Sequence, residues 1–235
     1  MYNNTIFPFG KNRPRFGNYS IPFITSDSLL LVLLSDTLHK IVLDEPEIYP
    51  DTFQNIYNDS ARSFHSRPVD SLFRPMMFNS DNFFAEQTLL MVSHEKFGSM
   101  SDTNIIDSLL ANDLKDMPTK PRWVDGSGLS RYNLFSPKDF IYILDKIKKE
   151  FGWKRIKNIL PTGGQGTLTG YYEKEAGNIY AKTGSMSNNV ALSGYLVTEK
   201  NRELVFSVIV NNFSGSGRSC RKAIERLLKD IRSIN

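Results

Sequence analysis

One cysteine, Cys220, is all that 235 residues contain, so no internal disulfide can form and no thiolate cluster can hold a metal. Histidine is nearly as scarce. His39, His65 and His94 stand far apart, with neither a His-Glu-x-x-His pattern nor any paired spacing of the kind a zinc site uses. Long apolar runs are missing: the longest, residues 29–34, has six members, whereas a membrane-spanning helix needs about 20. Charge of one sign is in small excess, +4 net, and it is spread along the chain. No basic stripe interleaved with aromatics appears, which argues against a nucleic-acid partner. The first ten residues show no basic segment followed by an apolar one, so no secretory leader is expected in this chain.

What is present is ordinary globular texture, 40% apolar and 23% charged, without repeats or low-complexity tracts. Residues 1–22 are rich in Pro, Gly, Asn and aromatics and read as loop or short strand. Residues 28–41 are apolar enough for a core helix, and residues 44–67, with Pro46 and Pro50, read as a linker or an extended crossing. Helices are expected over 69–78, with a kink at Pro75, and over 82–97. Another starts at Ser136-Pro137-Lys138-Asp139, where Ser is the N-cap, Pro the first helical residue and an acid the third. Phe140, Ile143, Leu144 and Ile147 follow at helical spacing.

After Gly177 the period drops to two or to short buried runs. Strands are expected over 178–182, 190–198 and 203–211, the last two joined by a polar hairpin at Glu199–Arg202. An amphipathic helix over 219–234, with Ile224, Leu227, Leu228 and Ile231 as its buried stripe, closes the chain. Helices first, then a meander of strands, then a helix, is α+β order: an antiparallel sheet with flanking helices.

Two short motifs carry the chemistry. Ser80-Asp81-Asn82 falls between two predicted helices, and Lys182-Thr183-Gly184-Ser185 ends the first predicted strand, 102 positions later. Singly, the first reads as a helix N-cap and the second as a strand-end turn. Ser-Asp-Asn and Lys-Thr-Gly occur together, with a Ser-x-x-Lys nucleophile, in serine β-lactamases and penicillin-binding proteins. Between them lie Asp125-Gly-Ser-Gly-Leu-Ser-Arg131, followed by Tyr132-Asn133-Leu134, and then Leu160-Pro161 with Gly163-Gly164-Gln165-Gly166-Thr167-Leu168.

With these four motifs in this order, the chain resembles the class C low-molecular-mass penicillin-binding proteins, the D-alanyl-D-alanine carboxypeptidases and endopeptidases. The resemblance implies part of the penicillin-recognising, β-lactamase/transpeptidase-like fold over residues 46–235. Residues 1–45 are then the remnant of an inserted accessory domain, or a linker. It implies a peptidoglycan stem peptide as substrate, β-lactams as ligands of the intact enzyme, a periplasmic or cell-envelope location, and neither metal nor cofactor. It implies Ser80 and Lys182 as catalytic residues, Ser80 relaying a proton to the leaving D-alanine. Asn82, Thr183, Gly184 and Ser185 become substrate-binding residues, Thr183 and Ser185 for the terminal carboxylate. The 125–131 stretch reads as a structural loop.

In this family Ser-x-x-Lys comes first, and nothing before Ser80 matches it. The two strings that do occur, Ser93-His-Glu-Lys96 and Ser219-Cys-Arg-Lys222, lie after Ser80 and are read as surface residues. The expectation is therefore the C-terminal part of a longer enzyme, inactive alone, with an unpaired edge on its last strand that favours self-association. Two other readings stand beside it. A class A β-lactamase lacks the 125–131 stretch and would carry a Glu-x-x-Leu-Asn motif not found here. A non-catalytic module that binds stem peptide or a partner protein would leave the same residues unused.

Overall fold

The computed structural model describes residues 27–38 and 65–234. The chain divides into two units, Met1–Phe64 and His65–Asn235. In the first, helix α1 spans Asp27–Leu38. The apolar run expected to make it a core helix leaves Val32 and Leu33 exposed. The linker expected over 44–67 lies outside the described residues as far as residue 64.

The second unit begins with α2 (Asp70–Asn79), α3 (Asn82–Phe97) and α4 (Asp102–Ala111). Pro75 sits within α2. Ser101 caps α4 by accepting from the Asn104 N–H. Leu89 of α3 and Ile105 and Ile106 of α4 are buried against one another. Ser93 stitches the turn between these helices: its hydroxyl donates to the Ser99 carbonyl at 2.8 Å and accepts from the Ser101 N–H at 3.0 Å. It is fully buried, which corrects its reading as a surface residue. Ser219 is exposed.

Helix α5 (Pro137–Ile159) starts on the capping box predicted at Ser136 and Asp139. It breaks at Gly152, whose φ of 76° no other residue adopts cheaply. The segment beyond the break is tied back to α2 by Arg155, which pairs with both carboxylate oxygens of Asp70.

Strands β1 (Ile179–Met186), β2 (Asn189–Val197) and β3 (Glu203–Asn211) form an antiparallel meander in the order β1-β2-β3. β1 continues four residues past the predicted strand, so Lys182-Thr183-Gly184-Ser185 lies within it rather than at its end. The cause is the two-residue turn Ser187-Asn188, with Asn188 at φ 63°, which keeps residues 183–186 paired to 189–192.

Alternation sorts the sheet's two faces. Ile179, Ala181, Thr183 and Ser185 stand opposite Leu196, Gly194, Leu192 and Val190, and this face packs on α6 (Gly217–Ile234). Ile224 and Leu228 of α6 are its buried anchors, contributing about 2 kcal/mol each. Leu227, expected in the same stripe, is 48% exposed, because the helix turns it past the sheet. Tyr180, Lys182 and Tyr195 point to the other face, toward α2 and α5. There the Tyr195 hydroxyl donates to the Leu144 carbonyl, and Trp153 meets both tyrosine rings edge-on. Among the described residues β3 pairs with β2 alone, and none of its residues is fully buried.

Candidate active site

The turn between α2 and α3 is held in a strained shape. Ser80 ends α2 in the left-handed region, φ 55° and ψ 51°, a conformation that costs a non-glycine residue about 1 kcal/mol or more. Asp81, not Ser80, is the N-cap of α3: its carboxylate accepts from the Phe84 N–H at 3.1 Å. The chain reverses in two residues, which leaves the Ser80 side chain half-buried toward the sheet and puts Asn82 on the first turn of α3.

Opposite stands Lys182. Its ammonium donates to the Ser80 hydroxyl at 2.7 Å and to the Thr183 carbonyl at 2.7 Å. Burial pushes the amine down from its ordinary 10.5 to about 8, since removal from water disfavours the charged form. The groups singled out from sequence thus meet across one cleft of about 270 Å³, which Ser80, Asn82, Lys182, Thr183, Gly184 and Ser185 all line.

Both spacer motifs have a packing role on this turn. A Cβ on Gly166 would come within 2.6 Å of the Phe78 carbonyl oxygen, and one on Gly126 within 2.7 Å of that of Ala85. The two loops therefore press against the chain on either side of Ser80-Asp81-Asn82, at distances only glycine allows. Gly184 differs. A Cβ there would meet only that of Ala191, at 3.4 Å, so the protein's own packing barely requires a glycine, and the bare position faces the cleft.

The 125–131 stretch is a structural loop whose inner side reaches the cleft. Asp125 accepts from the Gly128 and Ser130 N–H groups and from the Asn133 amide. Ser127, Gly128 and Leu129 line the cleft. Sequence reasoning missed Glu86. Its two carboxylate oxygens each accept one N–H, from Gly126 and from Ser127, both at 3.0 Å. The partners are 40 and 41 residues away in sequence, and no local pattern marks an acid on α3 as the holder of that loop. Among the described residues no cluster of His, Cys, Asp or Glu could hold a metal ion.

An α+β unit that sets a serine at a helix end against a lysine on a strand, with Thr-Gly following along that strand, defines the class of β-lactamase/transpeptidase-like, penicillin-recognising proteins. The profile of the D-Ala-D-Ala carboxypeptidase 3 (S13) family matches residues 55–231, and the chain belongs to that family. It is 26% identical over 157 residues to the D-alanyl-D-alanine carboxypeptidase DacB of Haemophilus influenzae, covering 63% of this chain and 33% of the relative. To the carboxypeptidase DacB of Mycolicibacterium smegmatis it is 28% identical over 176 residues, 70% and 38% of the two chains. The chain thus spans about a third of the length of these curated relatives. In fold it is similar to the crystal structure of penicillin-binding protein 4 from H. influenzae complexed with a β-lactam. The TM-score is 0.64 at 24% identity, over 72% of this chain and 42% of that one.

Proposed function

We propose that this chain supplies the Ser-x-Asn and Lys-Thr-Gly walls of the cleft of a serine-type D-alanyl-D-alanine carboxypeptidase or endopeptidase acting on peptidoglycan stem peptides. The observation that carries the reading is the 2.7 Å hydrogen bond from the Lys182 ammonium to the Ser80 hydroxyl. Amide cleavage by serine adds a hydroxyl oxygen to the carbonyl carbon, breaks the C–N bond and hands a proton to the departing amine; water then hydrolyses the ester. Because Lys182 donates into a Ser80 lone pair, the Ser80 O–H is free to point at the leaving nitrogen and deliver that proton.

Asn82 holds the peptide through its amide. Thr183 and Ser185 take the terminal carboxylate, and the Ser185 N–H contributes to the oxyanion site. Gly184 leaves room for the peptide backbone to lie along the β1 edge as an added strand. A β-lactam occupies the same cleft in the intact enzyme. Peptidoglycan as substrate puts that enzyme in the periplasm or cell envelope. Among the described residues no helix is long and apolar enough to cross a membrane.

A second reading, a stem-peptide or partner-binding module without catalysis, uses the same cleft residues only to bind. Incubation with a fluorescent penicillin and intact-mass analysis separates the two. The chain alone is expected to take no label. Joined to a relative's segment that carries Ser-x-x-Lys, it is expected to take one label, on that serine. No label in the joined protein rejects the catalytic reading, and label on Ser93 or Ser219 in the chain alone rejects the assignment of the nucleophile.

The outer edge of β3, unpaired among the described residues, supports self-association of the isolated chain. Sedimentation velocity over a wide concentration range is expected to show mass rising with concentration. A monomer throughout, melting sharply and independently of concentration, counts against it.

A further inference from the structure

The Thr183-Gly184-Ser185 stretch borders two hollows, the cleft on the Lys182 side and a small pocket on the α6 face that shares all three residues. In that pocket Arg221 of α6 donates from Nη1 to the Ser185 hydroxyl at 3.0 Å. The guanidinium forms no ion pair with any described carboxylate, although other basic side chains of α6, Lys229 and Arg232, do. A second feature lies at the same hollow. Thr167 lines it, and its buried hydroxyl has no hydrogen-bond partner among the described residues. A buried hydroxyl left unmatched costs free energy that a ligand oxygen can restore.

The start of α6 strengthens the case. Gly217–Ile234 has no acid in its first turn and carries Arg218, Arg221 and Lys222 instead. Cations at the positive end of a helix dipole are electrostatically unfavourable, and an anion seated nearby would relieve them. The pocket itself is small, about 20 Å³, enough for a group near the size of a water molecule. A carboxylate oxygen fits; a further residue does not.

We infer that Arg221, with the Thr167 hydroxyl beside it, is a substrate-binding residue that seats the free C-terminal carboxylate of a D-alanyl-D-alanine peptide at Thr183 and Ser185. This rests on the peptidase reading of the cleft and extends it: specificity for a free terminal carboxylate comes from α6 as well as from β1. The peptide lies along the β1 edge, and its terminus turns over that edge toward the α6 face, where Thr183 and Ser185 already point. With Nη1 on the Ser185 hydroxyl, the guanidinium keeps further N–H donors for a carboxylate oxygen.

The test measures binding of N-acetyl-D-alanyl-D-alanine, and of the same dipeptide with a C-terminal amide, to the full chain by titration calorimetry or NMR shift perturbation. The unaltered chain is expected to prefer the carboxylate. Arg221→Gln is expected to weaken the carboxylate ligand about tenfold or more while changing the amide less than about twofold. Arg221→Lys should keep part of the preference, and Thr167→Val should lose about threefold on the carboxylate alone. Arg226→Gln removes the same charge from an exposed position further along α6 and is expected to leave both ligands within about twofold.

Equal weakening of both ligands by Arg221→Gln, or no weakening, overturns the role of Arg221 while leaving the peptidase reading intact. Failure of the unaltered chain to bind either ligand instead overturns the carboxylate reading of Thr183 and Ser185, and the role of Arg221 with it. An unchanged circular-dichroism melt for Arg221→Gln confirms that the variant reports on binding.

Discussion

Lys182→Met is expected to make the chain more stable at pH 7 and less stable above pH 10.5, with the two stability curves crossing in between. The amine titrates at about 8 in the fold against an ordinary 10.5. Below pH 8 both folded and unfolded chains carry the proton, and the fold bears the full cost of a buried charge, about 3 kcal/mol from the size of that difference. Between pH 8 and 10.5 the unfolded chain binds more protons than the folded one, so the stability of the unaltered protein rises with pH. Above 10.5 both forms are neutral and the cost is gone.

Methionine removes the charge but also the bonds to Ser80 and to the Thr183 carbonyl, a loss of about 2 kcal/mol for the pair. The net is a gain of about 1 kcal/mol at neutral pH and a loss of about 2 kcal/mol in strong base. Urea unfolding followed at pH 7, 9 and 11 reads this directly, and parallel curves across the range would refute the burial argument. In a joined protein carrying the serine nucleophile, the same substitution should slow penicillin acylation about a thousandfold, because Ser80 loses the donor that orients it. Stability gained where chemistry is lost is the pattern expected of a residue placed for catalysis rather than for folding.

Several features are legible in the sequence alone. The α5 start was legible because a capping box is a local device: Ser136, Pro137 and Asp139 satisfy one another within four residues. β3 is legible to its observed ends, 203–211, because an apolar run broken only by Ser207 lies between polar residues. The meeting of Ser80 and Lys182 could not be read from either motif alone. It came from their order among four motifs, and the structure puts their side chains in contact.

What escaped depended on distant parts of the chain. α4 is ten residues long, and its Ile105-Ile106 pair reads as helical only once Leu89 is there to pack on it. Ser93 looked exposed because its string is polar, yet its two partners lie six and eight residues ahead, across a turn. Thr183-Gly184-Ser185 resembled a strand end by composition, and pairing with β2 overrode that propensity. Glu86 and Arg221 act through partners 40 and 36 residues away, a separation at which sequence spacing carries no information about contact.

Asp139→Ala carries the largest loss of stability expected outside the cleft. The residue is completely buried, and every donor it serves is a different kind of constraint. The Ser136 N–H at 2.7 Å closes the capping box. The Thr119 N–H at 3.1 Å and hydroxyl at 2.6 Å anchor the loop that precedes it. Burial on its own would raise the carboxyl's pKa, but hydrogen bonds from Thr119 and Ser136 outweigh burial and hold it below its ordinary 3.8. Alanine strands three donors, and a loss of about 3 kcal/mol follows from the cap and the unsatisfied groups together, or a fall of about 9 °C in melting temperature for a chain of this length.

Asparagine keeps one acceptor and the shape, so Asp139→Asn is expected to lose roughly half as much. Because the folded carboxyl titrates below its unfolded value, its contribution is complete above the ordinary carboxylate range and disappears as pH falls through the folded value. Chemical denaturation at pH 7 should therefore separate Asp139→Ala widely from the unaltered chain, while in strong acid the two should draw together. A gap that stays constant down to acid pH would show that Asp139 acts by filling space and not by its charge, and the account of how α5 is started would have to be abandoned.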